Sequence, residues 1–310
     1  MSWIQILTYL CGAIFIVGFA SKLLKYATMP MHVRWELYPI PHEGKHKSYG
    51  GSFYEEIDHW KQERHKDHVA QYMFMLPEIL FIKALYEDNR SLWYWSLPFH
   101  FGLYLSIAGL AFLAVGAFLQ LVGLPPTTAI GSFVQSLTIL FGVVGYILGL
   151  VGVIGLVIKR KTDPELSEFS APIDYMNLIW LGAIFLTGLL VWFQDPGFAT
   201  SREYLVSIIT FSPMTAQLSG MHYLNLLLFL GFFAYFPFTH MTHMVSKYFM
   251  WDKVKWDDNP NVGDPGVDAK IKTYLGYPVT WSAVHIDAQG GKRNWADIAT
   301  SNPWAKKEEK

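Results

Sequence analysis

From Ser91 to Ile158 the chain contains no Asp, Glu, Lys or Arg, and Tyr204 to Ser246 is equally free of them. Soluble domains usually carry about 25% charged residues spread over their surface. Here charged types make up 16% of 310 residues against 52% hydrophobic, and the mean hydropathy is +0.23. No soluble fold tolerates blocks of that length without charge, so the sequence is that of an integral membrane protein. The formal net charge of -1 excludes an overall basic nucleic-acid binder, and the single Cys11 excludes a disulfide framework, an intrachain iron–sulfur cluster and a zinc ribbon.

A helix needs about 20 apolar residues to cross roughly 30 Å of hydrocarbon. Five stretches qualify: about Trp3–Ala20, Leu97–Leu121, Phe133–Ile158, Tyr175–Phe193 and Leu218–Val245. The turn signal Gly123-Leu124-Pro125-Pro126 separates the second from the third. Each is expected to be helical, because backbone amides in lipid have no water to bond and no β-barrel alternation is visible. The first stretch lacks a basic leading region and a small-residue cleavage site, and Lys22 and Lys25 follow it. It therefore reads as a retained span rather than a signal peptide.

Lys and Arg are distributed unevenly. Ten lie between Lys22 and Arg90, three at Lys159-Arg160-Lys161, ten from Lys247 onward, and Arg202 alone falls on the other side. The positive-inside rule then predicts an N-terminus outside and a C-terminus in the cytoplasm. This organisation divides the chain into a first span (1–26), a cytoplasmic polar segment (27–91), a core of spans two to five (92–246) and a cytoplasmic tail (247–310).

Within the polar segment, Met73 to Lys83 is amphipathic and is expected to lie in the lipid interface, interrupted by Pro77, Glu78 and Lys83. His42, His46, His59, His65 and His68, with Asp58 and Asp67, could suggest a metal site. The surrounding Lys45, Lys47, Lys61, Arg64 and Lys66 favour a solvated basic surface facing headgroups or a partner. The tail carries turn clusters and scattered tryptophans (Trp251, Trp256, Trp281, Trp295, Trp304), and reads as either a docking surface or a segment packed on its own protein. Gly149-x-x-Gly152-x-x-Gly155 sits inside a span and reads as close helix packing.

Ionisable residues inside spans are costly and mark functional positions. The ones present are His100 near the start of the second span, His222 near the start of the fifth, and His240 and His243 near its end. The second and fifth spans run in opposite directions, so His100 and His243 come to similar depth. Two imidazoles from facing helices are the usual axial ligands of b-type haem. Spacing alone leaves haem ligation and hydrogen bonding within the bundle both open. Treated as one straight helix, the fifth span puts His222 and His240 on one face and His243 about 60° round from His222. His240 and His243 are neighbours and cannot both ligate one iron; the other is left for a propionate or the interface. Gly102, beside His100, would suit the close approach of a macrocycle.

Phe99-His100-x-Gly102 and Phe236-Pro237-Phe238-Thr239-x-x-x-His243 resemble motifs of the gamma (cytochrome b) subunit of respiratory nitrate reductase. The likeness is closer still to the cytochromes b of the sulfate reducers' transmembrane (Tmc) and sulfite-reductase-associated (Dsr) complexes and of membrane-bound heterodisulfide reductase. The resemblance covers the five-span core. It implies an all-α, five-helix, haem-binding bundle in a prokaryotic cytoplasmic membrane. Such a subunit passes electrons between the menaquinone/quinol pool and a cytoplasmic, heterodisulfide-reductase-like iron–sulfur subunit. Other membrane subunits and a periplasmic multihaem cytochrome c are further partners that it implies.

In that family the fifth-span ligand stands six positions after the proline, here His243, and its second-span partner is His100. The family's outer haem uses positions occupied here by Leu110 and Asn225, with His222 one turn before the latter. The resemblance therefore implies one b haem, with a second at His222 left open. If the second is absent, His222 is free for quinone proton transfer. The alternative function is a haem-free membrane anchor of the same kind of complex.

Overall fold

The computed structural model describes residues 1–28, 43–49, 53–63, 65–250, 265–283 and 285–302. His42, Arg64, Trp251, Trp256 and Trp304 lie outside them. The chain divides into two compact units, Met1–Thr28 with His68–Trp251, and Met29–Asp67 with Asp252–Lys310.

In the first unit, α1 spans Trp3–Thr28, α2 His68–Phe81, α3 Lys83–Asp88, α4 Arg90–Leu121, α5 Ala129–Thr162 and α6 Pro164–Glu168. They are followed by α7 (Pro172–Gln194), α8 (Ala199–Ile209), α9 (Gly220–Tyr235) and α10 (His243–Met250). Helices α1, α4, α5, α7 and the stretch Gly220–Phe238 are each long and apolar enough to cross a membrane. All five expected spans are present, and most are longer than the apolar runs that betray them. Helix α1 carries Lys22 and Lys25 in its last turns, and α5 continues through Lys159, Arg160 and Lys161. A long lysine stem can stay along the helix while its ammonium reaches polar surroundings, so the helix need not stop where the charges begin.

Consecutive spans run antiparallel, and α4 packs on α5, α5 on α7, α7 on α9 and α9 on α1. One end of this bundle carries Trp3, Leu121, Gln194 and Gly220; the other carries Thr28, Arg90, Thr162 and Pro172. Glycine sets the α4–α5 contact. A Cβ on Gly102 would lie 2.3 Å from the Gly149 nitrogen, one on Gly109 2.7 Å from the Gly142 nitrogen, and one on Gly152 2.4 Å from the Phe99 nitrogen. Without a hydrophobic force between helices in lipid, such backbone-to-backbone approach is what holds them. Gly155 receives the Trp95 ring and Gly149 the Phe185 ring, as close helix packing requires. Gly102 is part of this seam, so its bare face meets α5 and does not leave space for a macrocycle.

Phe99, Val153, Leu156, Leu178, Leu181, Ile184, Phe185 and Phe232 form one buried cluster joining α4, α5, α7 and α9. A second, of Ile4, Cys11, Tyr204, Ala216 and Leu230, ties α1 and α9 to α8. Helix α8 was not foreseen, being short and only weakly apolar. Its Ser207 accepts from the buried Gln5 amide (3.1 Å), and Tyr204 and Thr8 share a hydroxyl bond of 2.6 Å. Helix α2 runs straight through Pro77; its break falls instead at Ile82, in the left-handed region (φ 51°). The α4 side chains Tyr104 and Trp93 donate to the α2 carbonyls of Ile79 (2.6 Å) and Phe81 (2.7 Å), groups that a helix end leaves open.

The expectation of one continuous fifth helix is corrected. Helix α9 stops at Tyr235, a 3₁₀ turn covers Phe236–Phe238, Thr239 is extended (φ −101°, ψ 169°), and a second 3₁₀ turn, His240–Thr242, leads into α10. Pro237 has no N–H to continue the helical ladder. The angular relation calculated for a straight helix therefore does not apply between His222 and His240 or His243.

In the second unit, the described part of Met29–Asp67 holds three 3₁₀ turns, Gly44–His46, Phe53–Glu55 and His59–Lys61. Glu56 pairs with Lys45 (2.8 Å) and His46 (2.9 Å), so part of the basic surface is internally neutralised. No group of three or more His, Cys, Asp or Glu placed to hold a metal occurs among the described residues. The tail is more regular than its turn clusters suggest, with α11 (Pro265–Leu275) and α12 (Trp295–Ala299). Trp281 and Trp295 lie 6.3 Å apart, both exposed.

The seam makes a paired prediction. Gly109→Ala should lower unfolding stability in detergent by about 1–3 kcal/mol, because a methyl must displace backbone. Gly116→Ala, whose Cβ would meet only side chains at 3.6 Å or more, should change it by less than about 0.5 kcal/mol. Denaturant titration of the two variants beside the parent protein checks both.

Candidate functional site

The break after α9 creates the first site. Thr239 Oγ1 accepts from the Met241 amide (3.1 Å) and donates to the Phe236 carbonyl (2.8 Å), which caps the incoming turn and closes the outgoing one. Thr242, 1% exposed, donates to the Thr239 carbonyl (3.1 Å). The chain thus re-enters a helix with His243 as the first residue of α10. The Nδ1–H of His243 faces the His240 carbonyl at 3.3 Å.

Across from it, His100 on α4 donates its Nδ1–H to the Ser96 carbonyl at 2.8 Å. Neither His100 nor His243 has a hydrogen-bond partner for Nε2 among the described residues, so each ring keeps that lone pair available. The two ring centres are 6.5 Å apart and the planes cross at 74°. Two imidazoles on opposite faces of one iron, each bonded through Nε2 at about 2 Å, place their ring centres roughly 6 Å apart. By donor type, free nitrogen and separation, the pair fits an axially held haem. His240 is not brought to this pair. Its side chain is 62% exposed, and its Nε2 lies 3.7 Å from Asp174 at the start of α7.

A separate constellation occupies the opposite end. His222, 8% exposed, meets Ser219 Oγ through Nδ1 at 2.8 Å. Ser219 gives its proton to Gln194 Oε1 (2.7 Å), so Ser219 accepts from Nδ1–H and His222 Nε2 carries the lone pair. That Nε2 is buried without a hydrogen-bond partner and faces Asp195 Oδ2 at 4.0 Å. Asp195 also accepts from the Ala199 (2.9 Å) and Thr200 (2.8 Å) amides at the start of α8. Burial pulls the Asp195 carboxyl upward, but these two amides, together with the His222 ring when it carries a proton on Nε2, outweigh it and hold its pKa below the usual carboxylate value. Sequence reading missed Asp195 because nothing in its own segment marks it; only the fold brings it to His222.

The two positions at which the family's outer ligands would stand are used otherwise. Leu110 is 42% exposed on α4. Asn225 donates its amide to the Ile184 carbonyl (3.0 Å) and Thr187 Oγ1 (2.8 Å), tying α9 to α7. Arg202, the lone cation of its side in the charge distribution, is buried on α8, with Nε donating to Gln120 at the end of α4 (3.0 Å).

No curated protein and no solved structure matches the chain. A family model does: that of the nitrate reductase gamma subunit, over residues 84–255, more than half of the sequence and the region from α4 through α10. The five apolar helices and this match agree on a multi-pass membrane protein. The chain belongs to the nitrate reductase gamma subunit family, whose members are membrane cytochrome b-type subunits of multi-subunit redox complexes.

Proposed function

We propose that this chain is a membrane cytochrome b subunit that passes electrons between the quinone pool and an iron–sulfur partner on the cytoplasmic face. The observation that carries this reading is the 6.5 Å separation of the His100 and His243 rings, each with Nδ1 held by a main-chain carbonyl and Nε2 free. Haem b bound there supplies a one-electron relay. The Ser96 and His240 carbonyls would fix the tautomer of each ring and leave Nε2 free, the role that such partners play for metal-bound imidazole. The single buried Cys11 cannot hold a cluster, so the electron partner must be another subunit. The positive-inside rule, with Lys22, Lys25, Arg90 and Lys159–Lys161 at the end that carries His100, puts that end in the cytoplasm. The cytoplasmic tail would then serve as the partner's docking surface. The histidine motifs favour the Tmc, Dsr and heterodisulfide reductase relatives and a menaquinone-type substrate.

At the outer end, Asp195 would steady a proton placed on His222 Nε2, which suits His222 to accept a quinol proton. The same geometry opposes ligation by His222, because its free nitrogen points at a carboxylate inside the protein. Asn225 and Leu110 offer no other pair, so one haem per chain is expected. About 13 residues of α9, roughly 20 Å, separate His222 from Tyr235, and a count of two haems would restore an outer relay between the ends.

Haem stoichiometry by pyridine haemochrome tests the reading. His100→Ala and His243→Ala should each abolish the same low-spin signal, whereas His240→Ala should keep it. A parent protein with no haem would establish the anchor instead. Asp195→Asn should leave haem content unchanged and slow haem reduction by quinol by about tenfold or more, within the range a positioned proton acceptor supplies. The depressed Asp195 pKa also stabilises the fold above about pH 4, where the unfolded carboxyl is ionised too. That contribution disappears as the pH falls through the lowered folded value. Thermal scans from pH 6 to pH 3 should therefore show the parent losing more stability than Asp195→Asn.

A further inference from the structure

We infer that Lys22 of α1 is a positioning residue for the His243 imidazole, acting through the broken segment after α9; the inference rests on the reading of His100 and His243 as an axial pair. The break leaves the carbonyls of the buried Pro237 and Thr239 without helical donors, and a buried carbonyl is costly unless something donates to it. The Lys22 ammonium donates to both, Pro237 O at 3.2 Å and Thr239 O at 2.8 Å. Charge-assisted bonds of this kind are about twice as strong as neutral ones. Thr239 O is bonded at the same time by Thr242, the residue before His243. Lys22 therefore clamps both sides of the break, and the second clamp is one bond removed from the neighbour of the ligand.

The approach is built into α1. Gly18 stands one turn before Lys22, and a Cβ there would lie 3.0 Å from Pro237 Cβ and 3.2 Å from Phe238 Cζ. Only a bare helix face lets α1 come close enough for the lysine to reach the carbonyls. A lysine that merely marked the membrane boundary would extend toward headgroups, whereas this one is half-buried and turned onto backbone. Helix α1 lies outside residues 84–255, so the lysine of the clamp is not part of the matched region although the carbonyls it meets are.

The test compares the full-length parent with Lys22→Met, which keeps length without donors, and Lys22→Arg, which restores charge and donors. Two readouts apply: deuterium exchange of the Thr239–His243 amides in haem-free protein, and the low-spin electron paramagnetic resonance signature and midpoint potential of haem-loaded protein. Lys22→Met should elute as the parent does, exchange those amides about tenfold faster or more, as loss of charged hydrogen bonds implies, and shift both haem signatures. Lys22→Arg should return all three toward the parent. Unchanged exchange and haem signatures in Lys22→Met would overturn the inference, as would Lys22→Arg behaving like Lys22→Met. A parent that binds no haem sinks the axial-pair reading and with it the haem role of Lys22. Haem lost in His100→Ala and His243→Ala but unaltered in Lys22→Met sinks this inference alone.

Discussion

Inside hydrocarbon a carbonyl without a donor has no water to turn to, and the arrangement of this protein follows from where its backbone is left open. Helices α1, α5 and α7 close their own ladders, and α4 does so except at Pro98, which withholds one N–H without ending the helix. The larger exception is the run from Tyr235 to His243, where Pro237 withholds an N–H and Thr239 turns extended. Every open group there that matters is met by a side chain: Lys22 from α1, and Thr239 and Thr242 from the segment itself. The same accounting explains how α2 ends, with Tyr104 and Trp93 of α4 donating to its final carbonyls. Irregular backbone is held here by these bonds, and it is irregular backbone that presents His243.

The two halves of the candidate iron site are held by different physics. His100 belongs to α4, which glycine contacts lock against α5 from Phe99 down to Gly142; moving it means parting two backbones. His243 belongs to a short helix beyond a break and depends on hydrogen bonds for its place. One ligand is set by packing and the other by polar clamps. That division puts the adjustable element at the end where the charged residues of α1, α4 and α5 gather.

Much of this was legible in the residues. The empty blocks Ser91–Ile158 and Tyr204–Ser246 reveal three of the spans, since hydrophobicity of that extent has one physical meaning. The proximity of the His100 and His243 rings was readable from antiparallel direction and depth. What was not readable depends on groups that only the fold assembles. Phe236-Pro237-Phe238-Thr239 sits within an apolar run, and nothing local says whether a proline there kinks a helix or ends it; Pro77, within α2, does not end its helix. Lys22 looks like a boundary charge until Gly18 brings it onto Pro237. Asp195 and Ser219 lie in connecting segments and gain meaning from His222. Gly102, beside a histidine, suggests room for a ligand, yet its bare face is taken by Gly149. A glycine reports closeness without saying to what.

The proposed single-haem arrangement makes physical sense of the outer positions together rather than one at a time. A histidine at 110 without iron would project an unpaired imidazole from an exposed face of α4 into lipid, a costly placement, whereas Leu110 carries no polar group to satisfy. At 225 the helix faces α7, where an apolar side chain would leave the Ile184 carbonyl and the Thr187 hydroxyl with one partner fewer. An asparagine supplies both bonds from one amide. Each position therefore holds the residue suited to its surroundings in the absence of a metal, lipid in one case and helix in the other. His222, one turn away from Asn225, escapes the same fate because Ser219 and Asp195 give its two nitrogens something to face.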